Sequence, residues 1–203
     1  MTSTISQSPD ALNGVKMTAD AYLIRERKSQ REFEGKYELL NQTLKFMAGA
    51  SEAHNDIAGN LSALLKFYIW QNNMVSRVFQ SDMKVVSFLE YKDYFYPDVV
   101  FIEGKTVYDD DNKDVLVNPT VIFEVLSDGT MTFDRGDKFD SYKKIESLKE
   151  YVLVHQYERK IEHFYKNEKG IWLTGKVIKT GELALLSIPL NLPLLQIYHA
   201  LPF

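Results

Sequence analysis

Tyr94-Phe-Tyr-Pro-Asp-Val-Val-Phe-Ile102 and Val121-Ile-Phe-Glu-Val-Leu126 decide how this chain is read, because each is an apolar run with one carboxylate set inside it. Short runs rich in β-branched and aromatic residues form strands. Runs that are apolar on both faces belong to central strands covered on either side. Asp98 and Glu124 therefore stand where an unpaired charge costs several kcal/mol, and each needs a partner. A hard divalent cation such as Mg²⁺ can serve both, since it takes oxygen ligands and often uses one or two carboxylates with waters and a substrate phosphate. The plainer alternative has Asp98 capping a turn after Pro97 and Glu124 pairing with a lysine. The residues leave both readings open.

A lysine lies within reach. Downstream of Glu124, Asp134, Lys138 and Tyr142 recur every fourth residue, which puts them on one face of a helix. A helix that begins soon after a strand starts near the strand's carboxyl end, so Lys138 can return over the carboxylates. The alternative is an exposed Asp–Lys pair worth a few tenths of a kcal/mol.

Outward from this centre, the spacing predicts alternating elements. Thr18 reads as the cap of a short helix. Residues 37–40 and 43–47 read as strands about a turn at Asn41-Gln42, which lacks the glycine that tight hairpins prefer. Ser51 caps a long helix to about residue 71, marked by Ile57, Leu61, Leu64, Leu65 and Tyr68. Strands are expected at 75–79, 83–88, a single run 95–102, 120–126, 150–155, 160–166 and 172–178. A helix is expected at 132–146 and a short one at 194–199. Asp109-Asp-Asp-Asn-Lys-Asp114 reads as a solvated loop. Residues 1–17 read as a flexible arm, and 18–203 as one α/β domain with a mixed sheet.

Composition narrows the class. The chain has 203 residues, 45 % hydrophobic and 26 % charged, which suits one soluble globular domain. No apolar run is long enough for a membrane span, and the opening residues lack a signal-peptide pattern. Without cysteine there is no disulfide frame, thiolate zinc site or cysteine nucleophile. A cytoplasmic location follows as the expectation. The formal charge of −4 argues against bulk electrostatic attraction to nucleic acid. Local basic patches remain available at Arg25, Arg27, Lys28 and Arg31, and at Lys143, Lys144 and Lys149. Strand aromatics Tyr91, Tyr94, Phe95 and Tyr96 can stack on bases, although such residues are more often core.

Taken in order, Tyr96-Pro-Asp98, Phe123-Glu-Val-Leu-Ser127 with Thr130, Asp134-Arg-Gly-Asp-Lys138 with Tyr142, and Lys149-Glu-Tyr-Val-Leu-Val154 resemble the Uma-two family of restriction-endonuclease-like proteins, a branch of the PD-(D/E)xK nuclease superfamily. Tyr37-Glu-Leu-Leu40 and Ser51 with His54 resemble that family's opening strand and helix-leading histidine. The resemblance spans about residues 18–200. It implies a restriction-endonuclease-like fold, a mixed β-sheet flanked by helices, and metal-dependent hydrolysis of phosphodiester bonds in DNA. It further implies that Asp98 and Glu124 ligate Mg²⁺ or Mn²⁺ and that Lys138 is the catalytic lysine. The superfamily's usual lysine position, two residues after the acid, holds Leu126 here, and Lys138 matches the family's displaced alternative. Two other departures are Asn41-Gln42 with Thr43 in place of an acidic-glycine turn and second acid, and Asp128 before Gly129. Glu38, His54 and Tyr142 form a second tier around the centre. Glu38 is either an outer acid or a strand-surface carboxylate, and His54 either contacts phosphate, positions Glu38, or is simply solvated or packed. His155, His163 and His199 receive no role. A homodimer is expected, since cutting both strands uses two sites. A non-cleaving nucleic-acid-binding module and a scaffold protein on the same fold are the competing functions.

Overall fold

The structure, a computed structural model, describes residues 10–32, 35–88 and 91–203, with the side chains of 29–32 left aside. In chain order it contains α1 (Ala19–Glu32), β1 (Tyr37–Leu40), β2 (Thr43–Phe46), α2 (Glu52–Gln71), β3 (Arg77–Gln80), β4 (Lys84–Phe88), β5 (Lys92–Phe95) and β6 (Val99–Ile102). There follow β7 (Val115–Leu116), β8 (Val121–Leu126), α3 (Met131–Arg135), α4 (Asp137–Tyr142), β9 (Glu150–His155), β10 (Ile161–Lys166), β11 (Trp172–Thr174), β12 (Glu182–Ala184), β13 (Asn191–Pro193) and α5 (Leu194–Ile197). The expected mixed sheet is divided in two: one runs β2-β1-β5-β4-β7, the other β11-β10-β9-β8-β6-β3, and β12 and β13 form a separate pair. Each larger sheet contains one parallel pairing, β4 with β7 and β8 with β9.

Strand periodicity aims the residues of β8. Val121, Phe123 and Val125 face α2 and the C-terminal segment, in a core with Ile57, Leu61 and Leu65. Ile122 and Leu126 face the opposite core, built with Phe133, Phe139, Tyr142 and, from the other sheet, Val85 and Phe95. Alternation puts Glu124 on this second side, between α4 and the neighbouring sheet.

Two expected elements are broken where the site needs them to be. The single strand expected at 95–102 is interrupted at Tyr96-Pro97-Asp98, with β5 and β6 in different sheets. Pro97 offers no backbone N–H to a ladder, and the chain crosses from one sheet to the other there. Likewise the helix expected at 132–146 is two short helices separated at Gly136, whose φ −104° and ψ −108° lie outside the helical region. A Cβ at Gly136 would lie 3.1 Å from the Thr132 carbonyl oxygen.

Other differences concern the periphery. Residues 1–9 of the expected arm lie outside the described residues, but 10–17 run along β2: Gly14 N–H donates to Leu44, Leu44 N–H to Val15 and Met17 N–H to Gln42. The Asn41-Gln42 turn forms without glycine, with φ of 47° and 59°, the left-handed pair that a two-residue hairpin requires. Asp93 helps to hold it by accepting from the Asn41 N–H at 2.8 Å. The acidic loop is not simply solvated. Asp110 and Asp114 bind Arg27, Asp114 also binds Lys84, and Asp109 binds Lys92, while Val115 and Leu116 are fully buried.

Candidate active site

All six residues singled out by sequence, Asp98, Glu124, Lys138, Glu38, His54 and Tyr142, converge on the crossing between the two sheets, Lys138 and Tyr142 together from α4 and the other four each from a different part of the chain. Asp98 ends the Pro97 crossing, just before β6. Its Oδ2 accepts from the Val125 N–H at 2.7 Å, which places it beside Glu124 on the adjacent antiparallel strand. His54 sits in the first turn of α2, which Ser51 caps by accepting from the His54 N–H at 3.1 Å. That cap directs the imidazole to Asp98, where Nε2 donates to Oδ1 at 2.9 Å.

Glu124 is only 2 % exposed. Its Oε1 takes the Lys138 ammonium at 2.8 Å and the Tyr142 hydroxyl at 3.1 Å. Its Oε2 has only a long contact, 3.4 Å, from the Asp98 N–H. Lys138 also lies 2.9 Å from Glu38 Oε1 and 3.7 Å from Asp134 Oδ1. Glu38 is therefore an inward acid of β1, not a strand-surface one; it is buried and accepts the Tyr96 N–H at 3.0 Å.

The electrostatics of this group are crowded. Burial pushes the Glu124 carboxyl well above the ordinary glutamate range; Lys138 pulls it back, and Asp98, Asp134 and Glu38 push it further up. Burial likewise raises Glu38 and Asp134, again against Lys138. Burial opposes the charge of Lys138, but Glu124, Glu38 and Asp134 outweigh it and hold the ammonium well above its usual value. The site thus gathers Asp98, Glu124, Glu38 and Asp134 around one fully engaged lysine.

Such an excess of negative charge favours a cation. Among the described residues no three His, Asp or Glu side chains already stand at metal-ligand spacing. Asp98 and Glu124 nevertheless supply a pair of hard oxygen donors on adjoining strands, with Glu124 Oε2 carrying no strong bond. That donor set fits Mg²⁺ or Mn²⁺, which complete their shells with water and substrate oxygen.

Other candidates fall elsewhere. Tyr94, Phe95 and Tyr96 are core residues and only Tyr91 of that group is exposed. Of the basic residues of α1, Arg27 is held by Asp110 and Asp114 and Arg25 binds Glu26, whereas Lys28 is exposed and the Arg31 side chain lies outside the described residues. Lys143 and Lys149 bind Asp140 and Glu103. Two further residues belong to the site. Asp134, for which the sequence gives a place on the helix face of Lys138 and in the motif but no role, is buried beside that lysine. Lys45 stands opposite Glu38 in the β1–β2 register, a position that follows from the two-residue turn at Asn41-Gln42.

With this geometry in view, comparison with known proteins gives one family. The Uma2 profile, described as "Putative restriction endonuclease", matches residues 20–197. An uncharacterized protein of Synechocystis sp. is 36 % identical over 162 residues, covering 80 % of this chain and 88 % of its own length. A second uncharacterized Synechocystis protein is 31 % identical over 201 residues, covering 98 % of this chain and all of its own. Among solved structures, a chain described as a putative nuclease belonging to DUF820 from Anabaena variabilis superposes with a TM-score of 0.66 at 13 % identity, covering 90 % of this chain and 97 % of that one. At that identity the likeness is one of fold.

Proposed function

The chain belongs to the Uma2 family, and on that premise we propose that it is a metal-dependent endonuclease that hydrolyses phosphodiester bonds in DNA. The observation that carries this reading is the meeting of Asp98 and Glu124 beside Lys138 at the sheet crossing. Asp98 and Glu124 would hold Mg²⁺ or Mn²⁺, which when bound supplies an activated water and a Lewis acid for the phosphoryl oxygens. The protein's own groups prepare that position. His54 and the Val125 N–H fix the two oxygens of Asp98. Lys138 and Tyr142 both engage Oε1 of Glu124, leaving Oε2 on the Asp98 side as the less committed donor. Lys138 is the catalytic lysine of this reading, its fixed positive charge opposing the negative charge that builds on phosphorus.

Plasmid and short single- and double-stranded DNA, incubated with Mg²⁺, Mn²⁺ or EDTA, test the reading. Cleavage is expected from the wild type with metal and from neither Asp98→Ala nor Glu124→Ala. Cleavage retained by purified Glu124→Ala would sink it; DNA binding without cutting would favour a non-cleaving module on the same fold.

We place the protein in the cytoplasm as a homodimer. No helix among the described residues is long and apolar enough to cross a membrane. The outer face of α2 supports self-association: Gly59, Ala63, Phe67 and Trp70 share one stripe, with Phe67 55 % and Trp70 70 % exposed. Glu52 and Asp56 precede the apolar residues on that stripe and Lys66 lies among them, so an antiparallel second copy brings opposite charges together. Sedimentation across a concentration series should show dimer in the wild type and monomer in Trp70→Glu.

A further inference from the structure

Lys138 and Lys45 both approach the acid cluster, and they differ in what holds them. Lys138 is 4 % exposed and its ammonium is surrounded by Glu38, Glu124 and Asp134. Its charge is shared with these three acids. Lys45 comes from β2, directly opposite Glu38, and cross-strand neighbours project from the same face of a sheet. Its Nζ rests 3.1 Å from the centroid of the Phe133 ring, at the start of the helical segment that carries Asp134 and Lys138.

Lys45 is half-buried and makes no ion pair among the described residues. Burial lowers its pKa, while Glu38 and Asp134 draw it back up from beyond ion-pair distance. The ring beneath it takes one side of the ammonium and holds it in place. The other side keeps its hydrogen-bonding capacity for something from solvent. An ammonium is a point charge that suits a phosphate oxygen without demanding a fixed bidentate geometry.

We propose that Lys45 is a phosphate-binding residue, its ammonium taking a backbone phosphate oxygen of the nucleic-acid strand held at the Asp98–Glu124 site. This rests on the reading of that site as one that acts on nucleic acid. Lys138, held among the carboxylates, keeps the catalytic place at the reacting phosphorus, and Lys45 takes a neighbouring phosphate of the strand. The division eases a conflict in an acidic site that must admit a polyanion: the charge of Lys138 is shared with three acids, and a second lysine, with no ion pair among the described residues, adds to the attraction.

The test is binding of a labelled duplex, and of a single strand of equal length, followed by fluorescence anisotropy in EDTA over about 50–200 mM salt. One lost phosphate contact lowers the slope of log K against log salt by about 0.9 for a duplex or 0.7 for a single strand. Lys45→Gln should show that drop, Lys45→Arg should keep the wild-type slope, and Lys169→Gln, in the turn between β10 and β11, should change nothing. Lys45→Met keeps the packing on Phe133 and serves if Lys45→Gln does not melt like the wild type. In cleavage assays Lys45→Gln and Lys45→Met should raise KM more than they lower kcat, and Lys45→Arg should leave KM near the wild-type value. An unchanged slope in a folded Lys45→Gln or Lys45→Met, beside a wild type that binds, overturns the proposal and spares the nuclease reading. A wild type that neither binds nor cuts overturns both.

Discussion

Glu124 and Glu150 stand on neighbouring parallel strands of one sheet, 2 % and 1 % exposed. Glu150, at the amino end of β9, meets only donors. It accepts His163 Nε2 at 2.6 Å, the N–H of Leu186 at 3.0 Å, the N–H of Ser187 at 2.7 Å and the Ser187 hydroxyl. Burial works against its charge, but these bonds prevail and pull its carboxyl below the ordinary range. Glu124, near the carboxyl end of β8, is driven up first by burial, which Lys138 only partly offsets, and then by Asp98, Asp134 and Glu38. Both are closed off from solvent, so exposure alone does not separate them. The company each carboxylate keeps makes one a fastening for residues 185–188 and leaves the other short of positive charge.

The largest expected effect is at Lys138, which tempers the crowding around Glu124. Lys138→Met leaves Glu38, Glu124 and Asp134 buried without their cation, and should cost about 3–5 kcal/mol in urea denaturation at neutral pH. A loss under about 1 kcal/mol would mean that these acids are already neutral in the fold, and the contrast with Glu150 would lose its basis. Next comes Glu150→Gln, whose amide turns a donor toward groups that are themselves donors. It should cost about 2–3 kcal/mol.

The same variant gives the pH dependence. A carboxyl lowered by folding contributes stability that is complete above its unfolded pKa, about 4.3 for glutamate, and that is lost as pH falls through the lowered folded value. The stability gap between wild type and Glu150→Gln should therefore be full near neutrality and narrow on acidification below that value. A gap that widens in acid would contradict the sign of the Glu150 shift. The smallest effect on stability belongs to Glu124→Gln. Its amide oxygen can still accept from Lys138 and Tyr142, and one charge leaves a crowded group. Thermal melting should place it within about 1 kcal/mol of the wild type, though the nuclease reading requires it to lose cleavage. A loss as large as that of Glu150→Gln would make Glu124 a structural carboxylate as well.

The order and type of most elements were legible because each rests on local pattern: the α2 periodicity with its Ser51 cap, the alternating β10, and the apolar runs of β8 and β9. The misread elements are those whose local pattern continues across a tertiary event. Phe95 to Ile102 reads as one strand because both halves are apolar, yet β5 and β6 serve different sheets. Residues 132–146 read as one helix because the fourfold spacing of Asp134, Lys138 and Tyr142 survives the break at Gly136. The acidic loop looked solvated because its cations, Arg27, Lys84 and Lys92, lie far away in sequence.

For the site, the chain order alone marked Asp98 and Glu124 as anomalies, since a carboxylate in an apolar run carries its desolvation cost wherever the run is buried. The fourfold spacing brought Lys138 and Tyr142 within reach of them, and resemblance added the catalytic role of Lys138 together with Glu38 and His54. Which of these meet was a matter of packing. The crossing at Pro97 sets Asp98 beside Val125, the parity of β8 turns Glu124 toward α4, and the hairpin register sets Lys45 across from Glu38. That a carboxylate stands in a run apolar enough to be buried can be read from its neighbours in sequence. Charge compensation depends on which donors arrive from other elements, and for Glu124 and Glu150 those donors come from helices, strands and turns that only the folded chain brings together.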